Sequence, residues 1–511
     1  MENRYQISRN IFFNFLGQGT LLILGVITTP FIVHSLGDTS YGIFSVVLAT
    51  VSYFSILDLG LGVSVIKYIS EYNAKNDRQA LGKIITTALT AYTILGFIGA
   101  SIIVLLTPFL IHNFLRIPSD FISIALSVFY ISAIGFLINM ILTVFNSIPN
   151  GLQRMDITNS RNILFGLLNY LGMVTILILG GNLVHIVIWN IFISILATLI
   201  FFRIITQLLK NVLIRFSFDK KIFLKLIRFG GFKFLGNVSG QVVFQLDKII
   251  IGFFHPIGLV TFYAVPNLVV QKAFISIFNI TNAVFPALSQ SHSLNDEQRT
   301  KDLYIRMTKF VIFFMFPLMA AIFIFSESVL TLWMGRDFAY VSTSTLKILA
   351  ISYFFASMSA PGVIVADAFG KPHIPAFFAL ISAIINVTAA LILVPKFGIE
   401  GAAWALLINF ISQVPIFLIF INKNIVKISS LEVLTKSYIR PIISGIICSI
   451  VVISMPKFTH NVLADFSLGL IIFAFFYILM NFFLGTFDKK DKLAAYYFAL
   501  KISSILKSKN I

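Results

Sequence analysis

The 511-residue chain is 58% hydrophobic and only 11% charged, whereas soluble globular proteins average about 25% charged residues. With a mean hydropathy of +0.95, this composition excludes a soluble globular protein and indicates a polytopic membrane protein. The net charge of +18 does not indicate nucleic-acid binding, because the basic residues lie in short breaks between apolar runs rather than on one surface. Cys448 is the only cysteine, which excludes an intrachain disulfide.

Apolar runs of membrane-spanning length recur along the chain and predict an all-α fold of about fourteen transmembrane helices. The first run is too long for the core of a signal peptide, so we expect a retained first span. The runs are 11–33, 42–66, 84–111, 121–145, 162–180, 183–202, 229–254, 259–285, 309–333, 341–366, 374–394, 400–421, 439–455 and 463–484.

Basic residues are distributed very unequally between alternate loops. Roughly 31 lysines and arginines fall in one set of loops and termini, and 4 fall in the other set. The positive-inside rule therefore predicts that both termini and the basic loops are cytoplasmic. The external loops are only a few residues long, so the sequence leaves no room for an external catalytic domain.

A weak internal repeat relates the two halves of the chain with an offset of roughly 220 residues. Its clearest matches are Asn14 and Gln18 with Asn237 and Gln241, and the Asn-Asp pair at 76–77 with that at 295–296. Six helices per half is an even number, so the halves are expected to be related by an axis along the membrane normal. The predicted layout is a lobe at 1–207, a basic linker at 208–228, a second lobe at 229–422, two extra helices at 423–487 and a basic tail at 488–511.

The seventh predicted span carries a polar stripe. Asn237, Gln241, Gln245 and Lys248 follow one another at steps of four, four and three, which places them on one helical face. The stripe rises about 16 Å at 1.5 Å per residue, about half the thickness of the hydrocarbon core. Because lipid cannot satisfy amides and a lysine at that depth, we expect the stripe to face protein or a wet cavity, together with Asn14 and Gln18.

Four ionisable residues in the middle of spans are candidates for function, because buried charges are costly in a membrane. Lys248 and Lys272 are candidates for binding an anion, although each could instead reach the interface or pair with Asp247. Asp247 and Lys272 are predicted to lie at matched depth, which would allow a charge pair. Asp58, in the glycine-rich LDLGLG segment at 57–62, is a candidate either for ion coupling or for a structural hydrogen bond.

Motifs of catalysis are missing from the sequence. The seven histidines form no H-E-x-x-H pair, and no nucleophile elbow, Walker loop or dinucleotide fingerprint is present. The sequence therefore favours a protein that is not an enzyme and that needs no metal or other cofactor.

Five segments together resemble the polysaccharide-export (Wzx-like) flippase family of the multidrug/oligosaccharidyl-lipid/polysaccharide superfamily. The resemblance covers roughly residues 1–425. The segments are SLGDTSYGIF (35–44), LDLGLGVSVIKYISE (57–71), NGLQRMD (150–156), FQLDKIIIGFF (244–254) and FGIEGAAWA (397–405).

This resemblance implies two six-helix lobes in a bacterial inner membrane and movement of undecaprenyl-pyrophosphate-linked oligosaccharides, such as O-antigen or capsule units, by alternating access. The lipid-linked glycan, the bilayer, and a polymerase and glycosyltransferases of the same pathway are the implied partners. Cationic cavity residues hold the pyrophosphate in relatives, and here Lys248 and Lys272 are the candidates. A lipid II flippase and a cation-coupled multidrug exporter of the same superfamily remain the alternatives.

Overall fold

The computed structural model describes residues 20–21, 23–209, 217–282, 284–455 and 461–488, except for the side chains of residues 229, 232, 233, 235, 279 and 280. Within these ranges the regular structure is helical, without a β-strand. Eleven helical segments of this described part are long and apolar enough to cross a membrane, and α1 (Ile23–Leu36) is a shorter apolar helix. The prediction of an all-α membrane protein is therefore confirmed.

The helices of the first part of the chain are α2 (Asp38–Phe54), α3 (Leu61–Ala74), α4 (Arg78–Phe109), α5 (Ile122–Gly151), α6 (Met155–Ile178), α7 (Leu183–Leu208), α8 (Lys220–Phe254) and α9 (Leu259–Asn282). Those that follow are α10 (Phe285–Ser293), α11 (Glu297–Ile324), α12 (Ser326–Met334), α13 (Arg336–Met358), α14 (Ala360–Ala368), α15 (His373–Ile421), α16 (Ser430–Val433), α17 (Ile439–Ser454) and α18 (Val462–Phe483).

Most predicted spans coincide with one helix each. Among the exceptions, the span predicted at 309–333 is divided between α11 and α12, and the span predicted at 341–366 is divided between α13 and α14. The span predicted at 42–66 is divided into α2 and α3 by a 3₁₀ turn and two left-handed residues, Leu59 and Gly60. The two spans predicted at 374–394 and 400–421 form the continuous α15, which is kinked at Gly398, where φ is 57° and ψ is −131°. Such a backbone conformation is easily adopted only by glycine.

Helix α8 begins nine residues before the predicted seventh span, so residues 220–228 of the expected linker are helical. The Asp219 carboxylate caps its first turn by accepting hydrogen bonds from the amides of Lys221 at 2.8 Å and Ile222 at 3.2 Å. An aspartate at this position satisfies amides that have no intrahelical partner. The basic residues at 220–228 therefore form the first turns of α8, the helix that carries the polar stripe.

The chain divides into two compact units. The first comprises Met1–Lys272 and Pro372–Asn409, and the second comprises Ala273–Lys371 and Phe410–Ile511. In the second unit, α17 and α18 pack on α11 around buried Cys448, Phe473 and Tyr477. The division into two six-helix lobes stays a prediction.

The Asn-Asp turns of the internal repeat have the same local geometry. Asn76 and Asn295 are both left-handed, with φ of 54° and 52°. Asp77 and Asp296 then each cap the following helix, with 2.9 Å hydrogen bonds from the amides of Ala80 and Arg299. This agreement supports the sequence repeat at these two turns.

Candidate functional site

A cavity of about 740 Å³ lies in the first unit beside α8. Asn237, Gln241 and Gln245, three members of the predicted polar stripe, line it. Phe234, Phe244 and glycines of the same helix contribute apolar surface to the wall. The sequence-predicted stripe therefore borders a cavity, whereas its role as a substrate contact stays a prediction.

The stripe is held in place by hydrogen bonds on α8 and α2. The Nζ of Lys248 donates to Oε1 of Gln245 at 2.7 Å. The hydroxyl of Tyr53 donates to the backbone carbonyl of Gln241 at 3.3 Å. Lys248 itself is partly buried and is not one of the lining residues. Its ammonium contacts the side chain of Gln245, which is one of them.

The break between α2 and α3 forms a second wall. Asp58 lines the cavity, accepts a hydrogen bond from the hydroxyl of Tyr92, and accepts another from the amide of Gly62 at 3.2 Å. Tyr92 also lines the cavity and is fully buried. The two hydrogen bonds hold the turn into α3, as the structural role predicted for Asp58 requires, and its coupling role stays a prediction.

Sequence reasoning missed several polar residues of the lining. Asn139 and Thr143 of α5 and Gln271 of α9 lie in the lining together with serines of α2 and the turn after it. Asn139 and Gln271 are amides within apolar runs, the same signal that identified the α8 stripe. Each also has a polar neighbour at a step of four, Thr143 after Asn139 and Asn267 before Gln271, but this spacing within a helix gives no reason to place the two helices on the same cavity.

The carboxylate of Asp247 is directed away from this lining. Asp247 is only 1% exposed and accepts hydrogen bonds from the Tyr263 hydroxyl and, at 3.4 Å, from Nδ2 of Asn386. Lys272, its predicted partner, is exposed. The expectation of an Asp247–Lys272 pair is wrong for this carboxylate, because matched depth does not fix the direction in which each side chain leaves its helix.

The remaining candidates are distributed around the cavity or lie outside the described part. Lys272 is not a lining residue, although its neighbour Gln271 is. Asn14 and Gln18 lie outside the described residues. Among the side chains that the structure describes, the lining therefore contains one carboxylate, amides, hydroxyls and aromatic rings, but no lysine or arginine. The described residues also contain no group of three potential metal ligands.

Helix α8 passes very close to α3 just below the cavity. A Cβ atom added to Gly230 would lie 2.4 Å from the carbonyl oxygen of Gly60, and one added to Gly60 would lie 2.3 Å from that of Gly230. One turn further along, the hydroxyl of Ser64 donates to the carbonyl of Leu226 at 2.7 Å. Because Gly60 is also a lining residue, this helix crossing borders the cavity.

These features define a membrane protein in which apolar helices border a cavity whose wall carries amides, hydroxyls and a carboxylate, the general organisation of a transporter. The family described as polysaccharide biosynthesis protein matches residues 7–292, more than half of the chain, and the MatE family matches residues 234–392. The chain belongs to the polysaccharide biosynthesis protein family, and the resemblance stated from its motifs is confirmed.

Individual relatives agree with this assignment. A candidate O-antigen transporter of Shigella flexneri is 24% identical over 409 residues, which cover 78% of this chain and 93% of that protein. The fold is similar to that of the lipid II flippase MurJ in an inward closed conformation, with a TM-score of 0.74 and 15% identity over 94% of this chain and 99% of that chain. An inward-facing multidrug resistance MATE transporter matches with a TM-score of 0.68 and 14% identity over 83% of this chain and 100% of that chain.

Proposed function

We propose that this protein is a flippase that moves a polyprenyl-diphosphate-linked oligosaccharide from the cytoplasmic to the external leaflet of a bacterial inner membrane. The observation that carries the proposal is the amide-lined cavity of about 740 Å³ between apolar helices. Sugar hydroxyls need hydrogen-bonding partners that lipid cannot supply, and amides both donate and accept. The similarity to a candidate O-antigen transporter supports this substrate class.

In the proposed mechanism the glycan contacts Asn237, Gln241 and Gln245 while the polyprenyl chain stays in the bilayer. Lysine supplies a point charge to phosphate, which keeps Lys248 and Lys272 as the proposed anion-binding residues. Alternating exposure of the cavity to the two sides completes the transfer. A polymerase and glycosyltransferases would be the partners that consume and supply the substrate. We propose no catalytic step for the chain.

A cation-coupled exporter of the same superfamily is the second candidate, and one observation favours it. Asp58 is the one carboxylate among the described lining side chains, where no lysine or arginine is found. A carboxylate suits a cationic drug or a coupling ion better than a diphosphate. In a glycan flippase the same carboxylate would serve ion coupling, which keeps Asp58 a proposed coupling residue and Asp247 a structural one.

Transfer of a defined lipid in proteoliposomes distinguishes these functions. The purified chain is reconstituted with a polyprenyl-diphosphate-linked oligosaccharide in the inner leaflet, and its arrival in the outer leaflet is measured with an impermeant lectin. The flippase proposal predicts arrival faster than in protein-free vesicles. The result that would reject it is an unchanged arrival rate together with proton- or sodium-driven efflux of a cationic dye.

A further inference from the structure

Lysines and tyrosines form a compact cluster where the first turns of α8 meet the last turns of α3. The Nζ atoms of Lys67 and Lys225 lie 4.7 Å and 4.4 Å from the ring centroid of Tyr68. Lys225 also lies 5.2 Å from the ring centroid of Tyr72 and donates a 2.9 Å hydrogen bond to its hydroxyl. We call these four residues the lysine–tyrosine cluster.

The cluster has a fixed framework. The ring of Tyr68 is only 7% exposed, while Lys67 and Lys225 are exposed. The bond from Ser64 to the carbonyl of Leu226 joins the two helices beside it. The lysines therefore present their charges to solvent from a packed helix crossing, rather than from a flexible loop.

The charge of this region is positive. Lys75 lies 5.8 Å from the ring centroid of Tyr72 and forms an ion pair of 2.7 Å with Glu71, the carboxylate on this part of α3. The hydrogen bond from Lys75 lowers the pKa of Glu71, and the charges of Lys225 and Lys67 lower it further. One carboxylate thus faces three ammonium groups, and cation–π contacts with the tyrosine rings do not neutralise their charge.

Most of the cluster lies on α3, the helix that begins at the cavity wall. Gly60 lines the cavity, and Lys67 follows it by seven residues, about 10 Å along a helix at 1.5 Å per residue. The positive-inside distribution predicts that this end of α3 is cytoplasmic. An anionic group bound by the cluster would therefore lie at the inner-leaflet surface, about two to three helical turns from the cavity wall.

We propose that the lysine–tyrosine cluster binds the phosphate groups of a phosphorylated lipid at the cytoplasmic surface. Two ammonium groups beside one ring supply charge for phosphate oxygens. The Tyr72 hydroxyl accepts its bond from Lys225, which leaves its own proton for a phosphate oxygen. The same chemistry fits the diphosphate of a polyprenyl carrier and the headgroup of an anionic phospholipid.

Binding can be measured without transport. The full chain is placed in phosphatidylcholine nanodiscs and titrated with farnesyl diphosphate, as a short polyprenyl diphosphate, or with phosphatidylglycerol. We expect Lys67→Gln and Lys225→Gln each to raise the Kd about tenfold, which corresponds to about 1.4 kcal/mol, because each removes a charge-assisted hydrogen bond to phosphate. Lys423→Gln removes one exposed lysine elsewhere in the chain and is the matched control, with a Kd within about twofold of wild type.

Each outcome is informative. Weakened binding of farnesyl diphosphate alone identifies the polyprenyl diphosphate as the ligand, and weakened binding of phosphatidylglycerol alone identifies the bilayer phospholipid. If Lys225→Gln disturbs folding, judged by its Tm, then Lys67→Gln and Tyr72→Phe carry the test. Equal Kd values for wild type, cluster variants and control, or no saturable binding by wild type, overturn the proposal. This proposal rests on the proposed function only for the choice of farnesyl diphosphate as a probe. Phosphate binding without glycan transfer would therefore argue against the proposed function and leave the binding site supported.

Discussion

A methyl group added at Gly230 tests the helix crossing that borders the cavity. Its Cβ would lie 2.4 Å from the carbonyl oxygen of Gly60, whereas ordinary contacts lie at 3.4–4 Å, so α8 must move by at least about 1 Å. The neighbouring Gly231 has no atom within 4 Å of an added Cβ and supplies a matched control in the same helix. Both alanines raise helix propensity by about 1 kcal/mol, and only Gly230→Ala adds overpacking of about 1–3 kcal/mol.

The two variants should therefore differ in unfolding free energy by about 1–3 kcal/mol, with Gly231→Ala the more stable. Reversible unfolding of the purified chain in mixed micelles, titrated with a denaturing detergent, measures this difference directly. A displaced α8 should also open the cavity beside Gly60. Equal stabilities of the two variants would refute the reasoning, because they would mean that the two backbones do not touch at this crossing.

Three further predictions concern the buried polar groups and the topology. Tyr263→Phe removes a hydrogen bond from the buried Asp247 carboxylate and should lower the unfolding free energy by about 1.5–3 kcal/mol; an unchanged unfolding free energy would mean that this bond does not stabilise the carboxylate. Tyr92→Phe removes the hydrogen bond that the Tyr92 hydroxyl donates to Asp58 and should lower the unfolding free energy by a similar amount. An unchanged unfolding midpoint would mean that this bond does not stabilise the first turn of α3. In a Cys448→Ser background, a cysteine replacing Asp38 should react with an impermeant reagent in intact cells, and one replacing Lys423 only after permeabilisation; the reverse pattern would invert the topology.

The polar wall on α8 could be predicted from the sequence because helical spacing fixes which side chains share a face. Asn237, Gln241 and Gln245 needed no tertiary information to be placed together, and an amide stripe in a membrane span has few environments that satisfy it. Helical spacing also relates Asn139 to Thr143 on α5, and Asn267 to Gln271 on α9, at steps of four. Spacing within one helix does not show which faces of different helices share a cavity. Only the tertiary fold brings these residues of α5 and α9 to the cavity that α8 also lines.

The environment of Asp247 shows why depth in the membrane is an incomplete guide. Residue counting placed Asp247 and Lys272 at similar heights, but the direction of a side chain depends on the rotation of its helix. The carboxylate contacts Tyr263, 16 residues later, and Asn386, 139 residues later, and no local pattern specifies the second contact. The break at Leu59 and Gly60 was similarly hidden in an apolar run, although the glycines of LDLGLG indicated close packing there.

We propose that the transported glycan passes through the cavity that Asn237, Gln241 and Gln245 of α8 line. In a Cys448→Ser background, Gln241→Cys is modified with a bulky, water-soluble thiol reagent, and Val243→Cys, which is buried at 3% exposure, is the control. Transfer of the polyprenyl-diphosphate-linked oligosaccharide is then measured in proteoliposomes before and after modification. The account predicts rapid labelling of Gln241→Cys, slowed by the glycan lipid, with loss of transfer on modification and little labelling of the control. Unchanged transfer by fully modified Gln241→Cys protein would contradict it.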